Sequence, residues 1–272
     1  MKRLERIIVA AAMFFAGCAP QVQKPITDCP DWDSVIQILK GRSQNAAPLK
    51  ANGRCHLQYY ADAEKHGENF PVKLWINPPD EIYLQGDVAF DPKGFVLGSN
   101  KEEFWLAIRL KEIDSYWWGR WDEQSDEPAK LAVNAKNILE ALGMAEIKDE
   151  ENWSLSSEDP FVVLAKKNRE NVITERIYIS GCDFLISRIE YLSADGRPSA
   201  VVELGGYEKK SEGFFVPTVI KIVTQPGNKV KGSVTLNLET IKTVNLTGEQ
   251  QQALFTRPEP AGFKHVYRIG GN

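Results

Sequence analysis

Histidine is scarce in this 272-residue chain, with only His56, His66 and His265, and cysteine is scarcely commoner at four. The spacings of these residues match no zinc pattern, so no metal site is expected. There is no serine, cysteine or threonine in a nucleophile elbow, and no glycine-rich phosphate loop. The carboxylate pairs Glu102/Glu103 and Glu158/Asp159 are sequence neighbours. Neighbours on a strand point to opposite faces, so neither pair forms an acid/base couple. The chain reads as non-enzymatic, with no catalytic residue and no cofactor. Excess positive charge is missing as well: the formal net charge is −4, which argues against a nucleic-acid partner.

The N-terminus has the layout of a secretory signal. Lys2, Arg3 and Arg6 are followed by the apolar run Ile7–Phe15 and the small residues Ala16 and Gly17. That run falls short of the roughly 20 residues a membrane-spanning helix needs, so it reads as a signal core. Phe15-Ala16-Gly17-Cys18 resembles the bacterial lipobox, with Phe15 in place of the usual leucine. The resemblance implies cleavage after residue 17, and acylation of the Cys18 thiol and of its freed amine. Two or three acyl chains would make an effectively permanent anchor, because one chain holds a bilayer only reversibly. Ala19, where aspartate would favour inner-membrane retention, implies the outer membrane, facing the periplasm. Losing Lys2, Arg3, Arg6 and Glu5 lowers the net charge by two, to −6. With Cys18 lipidated, Cys29, Cys55 and Cys182 are left in an oxidising compartment. One bridge at most can form; Cys29–Cys55 is favoured and Cys55–Cys182 is the alternative.

Residues 18–29 read as the lipidated end and a polar tether, and residues 30–272 as one domain. Pro30 and the acidic residues Asp31 and Asp33 suit a helix start. Trp32, Val35, Ile36 and Leu39 form a helical stripe that Gly41 is expected to stop. From Leu49 the period becomes two. Strands are expected at about 50–62, 68–77, 81–88, 94–99, 102–109 and 112–121, and again at 161–167, 172–180, 184–193, 199–209, 214–225 and 229–244. A helix is expected between the two sets, at 128–143. Val72, Leu74 and Ile76 alternate with Lys73 and Trp75, as in an antiparallel sheet with two different faces. Asp195-Gly196 and Pro226-Gly227-Asn228 signal turns. A short helix at 247–254 follows Thr247 as its cap. About eleven or twelve strands in one sheet must curl. The fold class is therefore α+β, mostly β: a curled antiparallel half-barrel with helices over its concave face.

This order of elements resembles the LolA/LolB-like superfamily. The local likenesses are Leu39-Lys40-Gly41-Arg42 leading to Gly53-Arg54, Asn77-Pro78-Pro79-Asp80-Glu81-Ile82-Tyr83, Phe104-Trp105-Leu106 before Tyr116-Trp117-Trp118-Gly119, and Ile189-Glu190-Tyr191 with Asp195-Gly196. The resemblance implies a cavity that accepts acyl chains of lipoproteins or other lipids, exchanged with a periplasmic carrier by affinity alone. Leu74, Ile76, Ile82, Leu84, Trp117, Trp121, Leu236 and Leu238 are the residues expected to line it. The family's protruding apolar loop would correspond to Phe90-Asp91-Pro92-Lys93-Gly94-Phe95, which lacks the usual pattern.

The densest aromatic cluster is Trp105, Tyr116, Trp117, Trp118 and Trp121. Trp117 and Trp121 are expected on one face with Ile113, and Tyr116 and Trp118 on the other. That second face is either packed against a neighbouring element or open as a docking surface for protein or cell-wall glycan. The charge runs Glu146–Glu151 and Glu208–Glu212 read as solvated loops.

Overall fold

The structure, a computed structural model, describes residues 32–61, 64–88, 91–123, 135–142, 144, 152–180, 183–224 and 232–270. Helix α1 spans Trp32–Gln44. Six strands follow: β1 Leu49–Ala61, β2 Glu64–Asn77, β3 Glu81–Val88, β4 Asp91–Ser99, β5 Glu103–Arg109 and β6 Asp114–Arg120. A single 3-10 turn at Trp121–Glu123 ends that run. Helix α2 spans Ala135–Ala141. Then come β7 Trp153–Glu158, β8 Phe161–Lys167, β9 Ile173–Ser180, β10 Leu185–Leu192, β11 Pro198–Ser211, β12 Phe214–Thr224 and β13 Gly232–Thr243. Helix α3, Gly248–Phe255, and β14, His265–Ile269, are the last described elements.

Among the described residues, fourteen strands form one sheet in the order β14-β6-β5-β4-β3-β2-β1-β13-β12-β11-β10-β9-β8-β7. Every pairing is antiparallel except β14 on β6, which is parallel. The sheet is curled and unclosed. The twelve expected strands are all present. The two not foreseen, β7 and β14, are the sheet's edges. Edge strands bury little, and the four exposed side chains among the five of β14 leave no alternation to read.

Alternation sets the two faces. In β1 the odd-numbered residues from Leu49 to Tyr59 are buried and the even-numbered ones lie outward; β3 alternates likewise. The buried residues belong to one interior cluster, joined by Val35, Ile36 and Leu39 of α1 and Ile138, Leu139 and Ala141 of α2. This inner face is the concave one, and among the described residues α1 and α2 cover it. Helix α3 packs instead at the end of β3, where Asn100 Nδ2 donates to the Phe255 carbonyl at 2.9 Å. Thr247 caps α3 with Gln250 in a reciprocal box.

Helix α1 does not stop at Gly41. Glycine inside a helix costs about 1 kcal/mol relative to alanine, but the next residue compensates. The Arg42 guanidinium donates to the backbone carbonyls of Asp183 and Phe184 in the turn before β10. That tertiary anchor carries the helix on to Gln44. The charge run at 208–212 differs in a similar way. Glu208 to Ser211 are the last residues of β11, with Lys209 and Lys210 paired to Glu212 and Glu208 at 2.9 and 2.6 Å. The run Glu146–Glu151 lies outside the described residues, as do Pro226-Gly227-Asn228.

Candidate functional site

Cross-strand register turns the inner face into transverse rows. One row runs Ile241–Ala51–Leu74–Leu84–Leu97–Leu106–Trp117–Tyr267, across β13, β1, β2, β3, β4, β5, β6 and β14. Beside it lie Ile76 opposite Ile82, and Leu238–Gly53–Val72–Gly86–Phe95–Ile108. Leu74, Ile76, Ile82, Leu84 and Leu236 are each 0 % exposed, and Leu238 is 5 %. These six residues, Leu236 through its place opposite Cys55, belong to one buried apolar cluster. Fully burying each such side chain is worth about 1.5–3 kcal/mol.

The two tryptophans part company. Trp117 packs against the interior cluster and its ring stacks on Tyr267 at 5.8 Å. Trp121 lies beyond the last residue of β6, in the 3-10 turn. Its ring meets Phe104 at 4.7 Å and its Nε1 donates to the Asn100 carbonyl at 2.9 Å. Trp121 thus belongs to the strand-end rim, because the chain turns at residue 121 and the strand parity expected there ends.

Phe95 also departs from expectation. It is 1 % exposed within β4, its ring 5.6 Å from that of Phe70. A Cβ at Gly86 would stand 2.3 Å from the Phe70 ring, so glycine there makes room for this aromatic pair. Pairing of β4 with β3 and β5 makes Phe95 an inner-face residue instead of a loop tip. Phe90 lies outside the described residues.

Sequence reasoning missed the polar group that fastens α2. The Tyr191 hydroxyl, on the inner side of β10, donates to the Glu140 carboxylate of α2. Burial, then Glu140 and Glu175, hold the Tyr191 hydroxyl well above its ordinary pKa. It therefore stays a protonated donor. Tyr191 carried a signal: it continues the inward alternation from Ile189. Helix α2 meets both β4 and β11, so it bridges distant strands across the concavity.

The Trp-rich outer face is packed. Trp105 is 0 % and Tyr116 1 % exposed, with Trp118 half-buried beside them. The segment after α3 covers them. Arg257 pairs with Glu103 at 2.7 Å and lies over the Trp118 ring at 4.3 Å. The Tyr116 hydroxyl donates to the Pro258 carbonyl at 2.8 Å, and burial pushes that hydroxyl up to about 12. Phe263 sits 5.4 Å from the Tyr116 ring with Arg109 over it. A Cβ at Gly98 would stand 2.3 Å from the Trp105 indole, so the indole lies where that side chain would be.

Cys55 is a buried free thiol whose pKa desolvation pushes up to about 12. Cys18, Cys29 and Cys182 lie outside the described residues, and with them both disulfide pairings and the lipidation site. Among the described residues no group of histidine, cysteine and carboxylate side chains is placed to hold a metal. No described helix is long and apolar enough to cross a membrane. The described inner face is apolar and buried, packed with its own side chains and those of α1 and α2.

No family model matches the sequence, and no curated protein is significantly similar to it. Solved structures are similar in fold. A putative outer membrane lipoprotein-sorting protein domain from Vibrio parahaemolyticus superposes with a TM-score of 0.56 at 11 % identity, covering 81 % of this chain and 95 % of that one. A LolA superfamily protein from Nitrosomonas europaea gives 0.51 at 11 % identity, covering 84 % and 99 %. A DUF1329 family protein from Desulfovibrio piger gives 0.52 at 10 % identity, covering 82 % and 98 %. The fold is LolA-like.

Proposed function

We infer that this protein is an outer-membrane lipoprotein of the periplasmic side, which binds acyl chains of lipoproteins or other lipids between its curled sheet and the helices over it. The observation that carries the reading is the aliphatic inner row through Leu74 and Leu84, with α1 and α2 set over that face. Shielding an alkyl chain there is favourable at about 25 cal/mol per Å² removed from water. Transfer to or from a periplasmic carrier then needs only a difference in affinity, with no covalent step. The lipoprotein-sorting domain among the structural neighbours supports the same reading. Acylation of Cys18 and cleavage of residues 1–17 complete it and supply the anchor.

The test is mass spectrometry of non-covalently held lipid in protein purified without added lipid. Wild type is expected to carry acyl species and Leu84→Trp, which fills the inner row, to lose them. A wild-type interior free of lipid, and unable to take up a fluorescent fatty acid, would sink the reading. Docking through Tyr116 and Trp118 is disfavoured, since residues 257–263 of the same chain already occupy that face.

A further inference from the structure

The row one residue out of step with the inner one runs over the opposite face: Lys242–Lys50–Trp75–Tyr83–Gly98–Trp105–Trp118–Arg268. Its β5–β6 end lies under the segment 257–263. Its other end, on β13, β1 and β2, carries none of the described helices. Lys50, Arg54, Lys73 and Lys242 are exposed there, with Trp75 and Tyr83 half-buried between them. Pro71 is exposed, and Val219 on β12 is 38 % exposed.

The arrangement of charge is unusual. Lys50 stands directly opposite Lys242 and Trp75, Arg54 opposite Asn237 and Pro71, and Lys73 opposite Asn52 and Gln85. None of these cross-strand partners is acidic, although the chain as a whole carries −4. Like charges directly opposed weaken a sheet. Lys50 is drawn over the Trp75 ring at 5.2 Å, which leaves the pair of lysines without a carboxylate between them. Two acids lie on neighbouring positions: Glu239, at the bulge of β13, and Asp87 on β3, which feels Lys73. Cations around tryptophan and tyrosine on the convex sheet face, uncovered by any described helix, match a bilayer interface. Aromatic rings settle there at headgroup depth and lysines neutralise anionic lipid.

We propose that the outer face of β13, β1 and β2 docks on an anionic phospholipid surface through Lys50, Arg54, Lys73, Lys242 and Trp75. The acyl anchor of the reading above would hold that surface close; the contact itself needs neither the anchor nor the interior. Docked this way, the concave face points away from its own membrane, toward an incoming carrier.

The test uses residues 19–272, so that neither an acyl group nor the signal segment carries the chain to lipid, sedimented with phosphatidylcholine vesicles with and without phosphatidylglycerol. The chain is expected to partition onto the anionic vesicles and to be released by salt. Lys50→Gln/Lys73→Gln/Lys242→Gln in the same background is expected to bind on the order of tenfold to a hundredfold more weakly. Its melting temperature should be unchanged or raised, since the opposed lysines are gone. Equal partitioning of the two chains, binding unaffected by salt, or equal recovery on neutral and anionic vesicles overturns the proposal. So does a chain that ignores vesicles yet is retained on immobilised polyglutamate, which would make the partner an acidic polypeptide. Both chains have the same interior, so this result is independent of whether the interior holds lipid.

Discussion

The hydroxyl of Tyr59 on β1 donates to Oε2 of Glu112, in the turn between β5 and β6, at 2.8 Å. Three strands separate β1 from β5 in the sheet. In a flat sheet those two strands would stand about 19 Å apart, at roughly 4.8 Å per strand. The bond exists only because the sheet bends round upon itself, and it closes one end of the concavity. Tyr59 is 7 % exposed and its ring stacks on His66 at 5.2 Å.

That bond should make stability depend on pH in a defined direction. The hydrogen bond from Tyr59 holds the Glu112 carboxyl below its ordinary pKa. A carboxyl depressed in the folded state stabilises above its unfolded value and loses that contribution as pH falls through the folded value. Tyr59→Phe is therefore expected to unfold at lower urea than wild type at pH 7. The two curves should converge in acid, once Glu112 is protonated. An equal gap at both pH values would show that the loss lies in packing.

Truncating the middle of the inner row should be costly. Leu84→Ala removes a side chain that is 0 % exposed and flanked by Leu74 and Leu97. A loss of about 2–5 kcal/mol is expected in denaturant unfolding, the usual range for a buried leucine whose cavity collapses only in part. A loss under 1 kcal/mol would mean that the face is loosely filled at this point.

Gly98→Val should fail for the opposite reason. The added side chain enters space held by the Trp105 indole, which the covering segment prevents from moving outward. Overpacking of this kind costs about 1–3 kcal/mol. Calorimetry should show the lowered melting temperature, and near-ultraviolet circular dichroism the displaced tryptophan.

Arg42→Ala should shorten α1. The guanidinium is partly in water, so its two bonds to the carbonyls of Asp183 and Phe184 are worth less than fully buried ones, about 1–2 kcal/mol together. Hydrogen exchange is expected to speed up at Gln44 and Asn45, where the helix would retreat toward Gly41. Unchanged protection would mean that the last turn stands without its anchor.

Cys55 offers a chemical test of the cysteine expectations. A thiol with its pKa pushed to about 12 should resist alkylation at pH 8 while the protein is folded, and react once guanidine unfolds it without reductant. Mapping the label to Cys55 by mass spectrometry reads the outcome. A Cys55 that can be labelled only after reduction would establish one of the two expected disulfides.

Strand alternation was legible wherever both faces of a strand have neighbours. The positions of Leu74, Ile76, Ile82, Leu84, Leu236 and Leu238 followed from it, as did the separation of Trp117 from Tyr116 and Trp118. It failed at Trp121, where the strand ended one residue early. Phe95 lay within the strand expected at 94–99; the loop matched to residues 90–95 came from the resemblance, and pairing with β3 and β5 holds Phe95 in the sheet instead. Helix termination at Gly41 failed because local propensity does not register an arginine bonded to a turn some 140 residues away.

The sequence alone determined that the protein is a mostly antiparallel sheet with one greasy face and three short helices, because side-chain period is a local property written into each strand. Which residues meet across the curl was settled only by tertiary structure. Tyr59 with Glu112, Tyr191 with Glu140 and the covering of Trp105 by residues 257–263 all join segments far apart in the chain. Their contacts depend on how far fourteen strands twist and bend together, and no local pattern encodes that sum.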